Sequence, residues 1–340
     1  MKRCSIVILN WNGAEMLRRY LPSVVSYCPE DSEVVVADNG STDESLQVLK
    51  ETYPSVRLIV LDKNYGFAEG YNRALQQIDS RYCVLLNSDV EVTEDWLSPL
   101  LDYLDSHEDV AAVQPKIRAW YDKRLFEHAG AAGGFLDKLG YPYCRGRIMG
   151  HLESDDGQYD TPAGIFWATG ACFVTRTALY KEAGGLDAEF FAHMEEIDLC
   201  WRFNARGYRL VCLPQSVVYH LGGGALPYES PRKTYLNFRN SLLMLYKNSP
   251  TSRLIWLMPL RCLLDYVAAL QYLFKGETAK AKAVIKACHD YRQMRRRMKD
   301  KRKTNLQLTK VWTPQQMRPF SILVHYYLLR QQRYTDVMMN

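Results

Sequence analysis

Hydrophobic and polar positions over the first 118 residues follow two periods in turn. Short apolar runs rich in β-branched residues at 5–10, 33–37, 56–61, 82–86 and 110–113 predict strands, and the amphipathic stretches at 13–27, 42–52, 67–78 and 96–106 predict helices. A Ser-Thr-Asp sequence at 41–43 opens the second helix as a cap. Strands alternating with helices give an α/β unit with a parallel sheet and crossover helices. Ligands bind such sheets beyond the carboxyl ends of the strands. Four polar clusters follow predicted strands, namely Asn10-Trp11-Asn12, Asp38-Asn39-Gly40-Ser41, Asn64-Tyr65-Gly66 and Asn87-Ser88-Asp89, and all are expected along one rim.

The periodicity fades over 119–164, which is rich in Gly, Asp and Tyr and predicts an irregular excursion with a hairpin. It returns at 167–176, in a helix over 195–207 and in strand-like runs at 209–213 and 217–219. Beyond residue 232 the pattern is helical, interrupted near Pro250 and Pro259, and a basic stretch occupies 292–303. The expected organisation is a body over 1–231, divided into 1–118 and 119–231, followed by a helical basic extension over 232–340.

Composition adds a charge asymmetry to this picture. The 340 residues are 47% apolar and 24% charged, which excludes disorder and fibrous repeats. Residues 1–231 carry 21 Lys+Arg against 33 Asp+Glu, whereas 232–340 carry 22 against 5, so the net +5 conceals an acidic body and a basic tail. A concentrated positive segment points to a polyanionic neighbour, either nucleic acid or anionic lipid. The nine cysteines are scattered without a CxxC pair and are expected to be reduced. The apolar run at 5–9 is too short for a signal peptide. The longest apolar region, 254–274, is interrupted by Arg261 and Asp265, each costing about 2.5–3.5 kcal/mol at the centre of a span. A membrane-crossing helix is therefore disfavoured and a cytoplasmic chain expected.

Candidate chemistry lies at the strand ends. Asp38 suits a hydrogen bond from a nucleobase imide or a ribose hydroxyl, and equally an Asx turn that caps the next helix. Asp89 closes a buried strand where a carboxylate can hold Mg²⁺ or Mn²⁺ against phosphate oxygens. The run Phe190 to Arg202 places Glu195, Glu196 and Asp198 at a helix start, where the macrodipole favours negative charge. Two adjacent carboxylates facing one cleft raise a pKa and suit one of them to general-base work. Asp198 and Arg202, spaced i, i+4, read as a structural ion pair. His220 ends an apolar run and precedes Gly222-Gly223-Gly224, which suits a metal ligand on a closing lid.

The order of these motifs resembles the family 2 glycosyltransferases, in particular their rhamnosyltransferase-like branch. The match runs over roughly the first 245 residues, through Val7 to Gly13, Val35 to Asp43, Asn64 to Asn72, Leu85 to Asp89, Ala168 to Ala171, Gly184 to Arg202 and Pro214 to His220. The resemblance implies a GT-A type nucleotide-diphospho-sugar transferase fold, with 1–118 as its nucleotide-binding half and 119–231 as its acceptor and catalytic half. It implies that Asp38, Asn64, Gly66, Asn72, Asn87 and Ser88 line the nucleotide pocket. Asn87-Ser88-Asp89 stands where the family has Asp-x-Asp, with Asn87 in place of the first aspartate, so Asp89 and His220 become the ligands for Mn²⁺ or Mg²⁺. Glu196 maps onto the catalytic base of the paired-acid motif, with Glu195 beside it. An inverting transfer from a UDP- or dTDP-sugar to a glycan or lipid-linked saccharide follows, as in bacterial surface polysaccharide synthesis. The basic tail then belongs against an anionic membrane surface on the inner face of the cytoplasmic membrane, with no role for nucleic acid, or else forms a helical cap packed on the body with its basic face solvated.

Three other readings compete. A nucleic-acid binding protein would use the basic tail, but the acidic rim opposes it. A nicotinamide enzyme lacks its GxGxxG after the first strand. A nucleotidyltransferase shares sheet and metal but releases pyrophosphate.

Overall fold

The computed structural model describes residues 2–222 and 230–338. Among these, a nine-stranded mixed sheet organises the molecule. Its parallel half consists of β1 (Cys4–Asn10), β2 (Ser32–Asp38), β3 (Arg57–Val60) and β4 (Tyr82–Asn87), in the order β3-β2-β1-β4. The short β5 (Val90–Val92) and the long β6 (Val110–Ala119) follow. A separate antiparallel sheet holds β7 (Gly134–Leu136), β8 (Pro142–Cys144), β9 (Arg147–Ile148) and β10 (His151–Leu152). The large sheet is completed by β11 (Ala163–Ile165), β12 (Cys172–Arg176) and β13 (Arg209–His220). β12 runs antiparallel between β4 and β6, and β13 runs parallel to β6.

Alternation along the central strands feeds two cores at once. Ile6, Ile8, Val34, Val36, Val84 and Leu86 pack in one layer, while Val7, Val35, Ala37, Cys83 and Leu85 pack in the other. Burial on both faces is why these strands read as continuous apolar runs. In register, Asn10 sits opposite Asp38 and Leu9 opposite Asn87, so the polar strand ends do meet at one rim.

Two expectations change in detail. The strand-like runs at 209–213 and 217–219 form one strand, Arg209–His220, with a register irregularity between Leu213 and Val217. Pro214 lies in that gap and has no N–H to give to a ladder. The 119–164 excursion contains four strands of two or three residues, too short for any period to show.

The region after residue 230 is helical, with long helices at Pro231–Asn248, Thr251–Phe274, Thr278–Met294 and Lys299–Leu308. It shares the core of the body, since Leu242, Leu243, Met244 and Leu245 are fully buried in the layer that contains Val7 and Val35. Ion pairs tie the two further. Lys247 Nζ lies 2.7 Å from both Asp187 Oδ2 and Asp198 Oδ2, and Lys301 Nζ lies 2.5 Å from Asp187 Oδ1. Burial would push the Asp187 carboxyl up, but the two lysines hold it well below the usual carboxylate range. Arg302 donates to the Ser249 carbonyl at 2.6 Å. Part of the basic stretch is thus spent on the body.

Candidate active site

The rim begins with a polar cradle built on the ends of β1 and β2. Asp38 is fully buried, accepting from the Asn10 amide at 3.1 Å and from the Ser41 backbone N–H at 2.9 Å. Asn12, left-handed at φ 48°, accepts from the Thr42 N–H at 2.7 Å. The exposed Trp11 indole stands between Asn10 and Asn12. The second helix begins later than the Ser-Thr-Asp cap predicts, with Glu44 at its N-cap, and Asp43 just before it accepts from the N–H groups of Ser45 and Ala14, joining two helix starts.

The Asn64-Tyr65-Gly66 turn is locked to β2 by amide bonds. Asn39 donates to the Gly66 carbonyl at 3.0 Å and accepts from the Tyr65 N–H at 3.0 Å, while Asn64 accepts from the Gly66 N–H at 2.8 Å. Gly66 is left-handed at φ 78°, and a Cβ there would lie 2.6 Å from the Phe191 ring. The turn in consequence carries the loop that precedes the paired acids, with Phe67 and Ala68 donating backbone N–H bonds to the Phe191 carbonyl. Asn72, expected at the nucleotide, spends its side chain elsewhere. It donates to the Leu186 carbonyl at 2.7 Å and accepts from the Leu186 N–H and the Tyr180 hydroxyl. Its place is a strut under the Gly184-Gly185-Leu186-Asp187 turn.

At the ends of β4 and β13, His220 Nε2 lies 3.1 Å from Asp89 Oδ1 and 3.3 Å from the Asn87 amide nitrogen. His220 Nδ1 faces Glu127 Oε2 at 3.4 Å. Burial alone would lower the His220 pKa, but the two flanking carboxylates raise it to about 10. The same pairing pulls Glu127 down to about 2 against its burial and lowers Asp89. Glu127 escaped the sequence reading because it is one glutamate in an aperiodic segment. Ser88 sits half-buried between Asn87 and Asp89.

A carboxylate oxygen and an imidazole nitrogen face to face fit one side of a divalent cation shell once the imidazolium gives up its Nε2 proton, with diphosphate oxygens as the complement. Among the described residues no group of three or more His, Cys, Asp or Glu side chains forms a metal-holding cluster. Asp89 and His220 are a pair of such groups, fewer than a shell of side chains alone would need. Gly223 and Gly224 of the expected lid lie outside the described residues.

The paired acids open the helix Glu195–Ala205. Glu195 is buried and Glu196 half-buried, and one oxygen of each has no hydrogen-bond partner. Burial, the neighbouring Glu196 charge and Asp198 drive the Glu195 carboxyl well above its ordinary range. Burial also lifts Glu196 to about 7, even though a backbone hydrogen bond from Gly170 favours its ionised form. Asp198 belongs to the frame, with its oxygens taken by Arg202, Lys247 and Asn248. The approach to this helix is left-handed at three residues other than glycine: Phe191 (φ 66°), His193 (φ 68°) and Met194 (φ 71°). Such backbone costs roughly 1–3 kcal/mol per residue and persists only where its surroundings enforce it. The enforcement comes from helix Pro231–Asn248. The fully buried Asn240 amide donates to the carbonyls of Phe190, Ala192 and His193 at 3.0, 2.9 and 2.7 Å, and Arg239 donates to that of Phe190 at 3.0 Å.

Comparison with known proteins follows this geometry. The family model described as glycosyl transferase family 2 matches residues 5–182. An N-acetylglucosaminyl-diphospho-decaprenol L-rhamnosyltransferase of Mycobacterium tuberculosis is 26% identical over 235 residues, 63% of this chain and 75% of the relative. The O-antigen biosynthesis protein RfbC of Myxococcus xanthus is 27% identical over 222 residues, 64% of this chain and 17% of that much longer protein. Among solved structures, GalNAc-T7 with UDP, GalNAc and Mn²⁺ aligns with a TM-score of 0.58 at 18% identity, over 74% of this chain and 49% of that one. The mannosyltransferase PcManGT of Pyrobaculum calidifontis, in complex with GDP-Man and Mn²⁺, aligns at 0.53 and 16% identity, over 85% of this chain and 86% of that one. At these identities the structural likeness speaks for the fold alone.

Proposed function

The chain belongs to glycosyl transferase family 2, and from that premise we propose an inverting transfer in which Glu196 is the general base. It is a glycosyltransferase of GT-A fold. The observation that carries the base assignment is the Glu196 carboxyl itself, half-buried at a helix start with one oxygen unpartnered, and lifted to about 7 by burial beside a second acid. A base poised near the working pH takes a proton most effectively.

In the proposed step the Glu196 carboxylate accepts the proton of an acceptor hydroxyl while that oxygen bonds to the anomeric carbon of the donor sugar. The bond from that carbon to the diphosphate oxygen breaks on the opposite face, its electron pair leaving with the nucleoside diphosphate, so configuration inverts. One displacement needs no protein nucleophile, as in one-step glycoside hydrolysis. Asp38 and the Asn64-to-Gly66 turn are assigned to the nucleoside, and Asn87 and Ser88 to the diphosphate side. Asp89 and His220 would hold Mn²⁺ or Mg²⁺, which offsets charge on a departing diphosphate. Asn72 is not carried into this reading, because its side chain holds Leu186.

The donor we propose is a UDP- or dTDP-sugar, and the acceptor a glycan or lipid-linked saccharide at an anionic membrane surface. The rhamnosyltransferase and O-antigen relatives support this choice. The test is a screen of sugar nucleotides with Mn²⁺ and a polyprenyl-diphosphate saccharide acceptor, reading released nucleoside diphosphate. Release of pyrophosphate would replace the proposal with a nucleotidyltransferase, and no release with any donor would remove it.

A further inference from the structure

The helix Thr251–Phe274 is turned inside out relative to a helix in water. Its two central charges face the protein, and Arg261 is tied there. Arg261 donates to the Leu139 carbonyl at 2.8 Å and to the Ser241 hydroxyl at 2.9 Å, and the Asp265 beside it is fully buried. The opposite side is apolar and open, with Ile255, Leu263, Val267, Leu270 and Phe274 all exposed, the last at 90%. The interruptions seen in the sequence therefore do not touch the outward stripe, which repeats at the three- and four-residue spacing of one helix face. Tyr327 bonds to the Gln271 side chain, which brings the exposed Tyr327-Leu328-Leu329 run alongside this stripe.

We infer that this outward stripe and the neighbouring 327–329 run form a docking surface for an anionic lipid leaflet, in which the helix lies in the membrane plane. This deepens the proposed membrane partner by naming the face and the pose. The helix has the length and hydropathy of a membrane span. Arg261, however, holds its midpoint to the body through Leu139 and Ser241, which favours lying over crossing. Charge selects the occupant. The end of the helix Thr278–Met294 exposes Arg292, which lies close enough to Cys262 to act on its charge, and the turn after it exposes Arg295, Arg296 and Arg297. Cationic side chains beside an apolar stripe complement anionic headgroups, whereas a second copy of this chain would set like charges against each other. Trp256 and Tyr266, both exposed on the same helix, have the apolar body and polar tip suited to the headgroup boundary.

The test is flotation of the full chain with phosphatidylcholine vesicles, with and without phosphatidylglycerol, at low and high salt. The wild-type chain is expected to float with the anionic vesicles and to lose much of that binding in high salt. Leu263→Glu combined with Leu270→Glu should bind at least about tenfold more weakly. Because both side chains are exposed, its thermal unfolding should match wild type. Arg295→Ala with Arg296→Ala and Arg297→Ala should lose the preference for anionic vesicles. Wild-type protein left in solution, or a Leu263→Glu/Leu270→Glu chain that floats as wild type does, overturns the inference. So does a stable dimer, seen in sedimentation, that shields Trp256 and that the same glutamates break. Flotation needs no turnover, so failure of the transfer reaction leaves this result readable.

Discussion

The Asn240 amide reaches the His193 carbonyl at 2.7 Å from a helix 47 residues further along the chain. His193 is one of three left-handed residues in the loop that aims Glu196, and the same amide also holds the carbonyls of Phe190 and Ala192. The approach to Glu196 thus depends on a side chain outside the segment 5–182 that the family model matches.

Asn240→Ala removes all three bonds; the Phe190 carbonyl keeps Arg239, while the part-buried carbonyls of Ala192 and His193 lose their amide donor. Unfolding should become easier by about 1–3 kcal/mol, and turnover should fall about tenfold or more with nucleotide affinity retained. Steady-state kinetics beside isothermal titration with nucleoside diphosphate separates the two. A wild-type kcat in the folded variant would refute the clamp.

Glu196 should reveal itself in opposite signs for activity and stability. Turnover should rise as pH climbs through about 7, where its carboxyl ionises. Stability moves the other way. A carboxyl whose pKa is raised on folding makes its full contribution below its ordinary pKa, and that contribution is lost as pH climbs through the folded value. Glu196→Gln is accordingly expected to lower kcat by ~10²-fold or more yet to raise Tm at pH 8 relative to wild type, with little difference at pH 4. Calorimetry at the two pH values checks this, and Glu195→Gln should harm kcat less.

Asp198→Asn tests the frame beneath the site. It breaks contacts to Arg202 and Lys247 in a buried network, and loss of one partner in such a pair costs about 3–5 kcal/mol. Urea unfolding should shift accordingly while kcat per folded molecule stays near wild type.

Asp89→Ala and His220→Ala should each keep the fold and lose the Mn²⁺ dependence of nucleotide binding, as EDTA should for wild type. Thermal shift with nucleoside diphosphate, with and without Mn²⁺, measures it. An unchanged metal response in both variants would discard the partial shell.

How much of this was legible in the sequence follows from the length and local character of each signal. The strands of the parallel half were readable because every residue from Ile6 to Ile8 is buried, and Asp38, Asn87 and Asp89 fell on the rim because they end such strands. Asn72 carried a family motif, yet its amide serves Leu186, and no pattern in sequence distinguishes a strut from a ligand contact. Glu127 and Asn240 were invisible because their partners lie 93 and 47 residues away, so only the folded register brings them together. In sequence, Arg261 and Asp265 interrupt the apolar run over 254–274 and disfavour a membrane-crossing helix. Direction decides that question, and both charges point inward.

The lysine at 301 has a consequence for the order in which the protein comes into being. Asp187 sits in the turn leading to Glu196, and Lys247 and Lys301 are its cationic partners. A nascent chain leaving the ribosome can close the sheet once β13 has emerged. The acidic turn must then wait for more than eighty further residues before its second counterion arrives. Synthesis therefore delivers the strand ends of the rim well before the ion pairs of the turn that leads to Glu196, and the apolar helix that follows Asn248 is translated between the two.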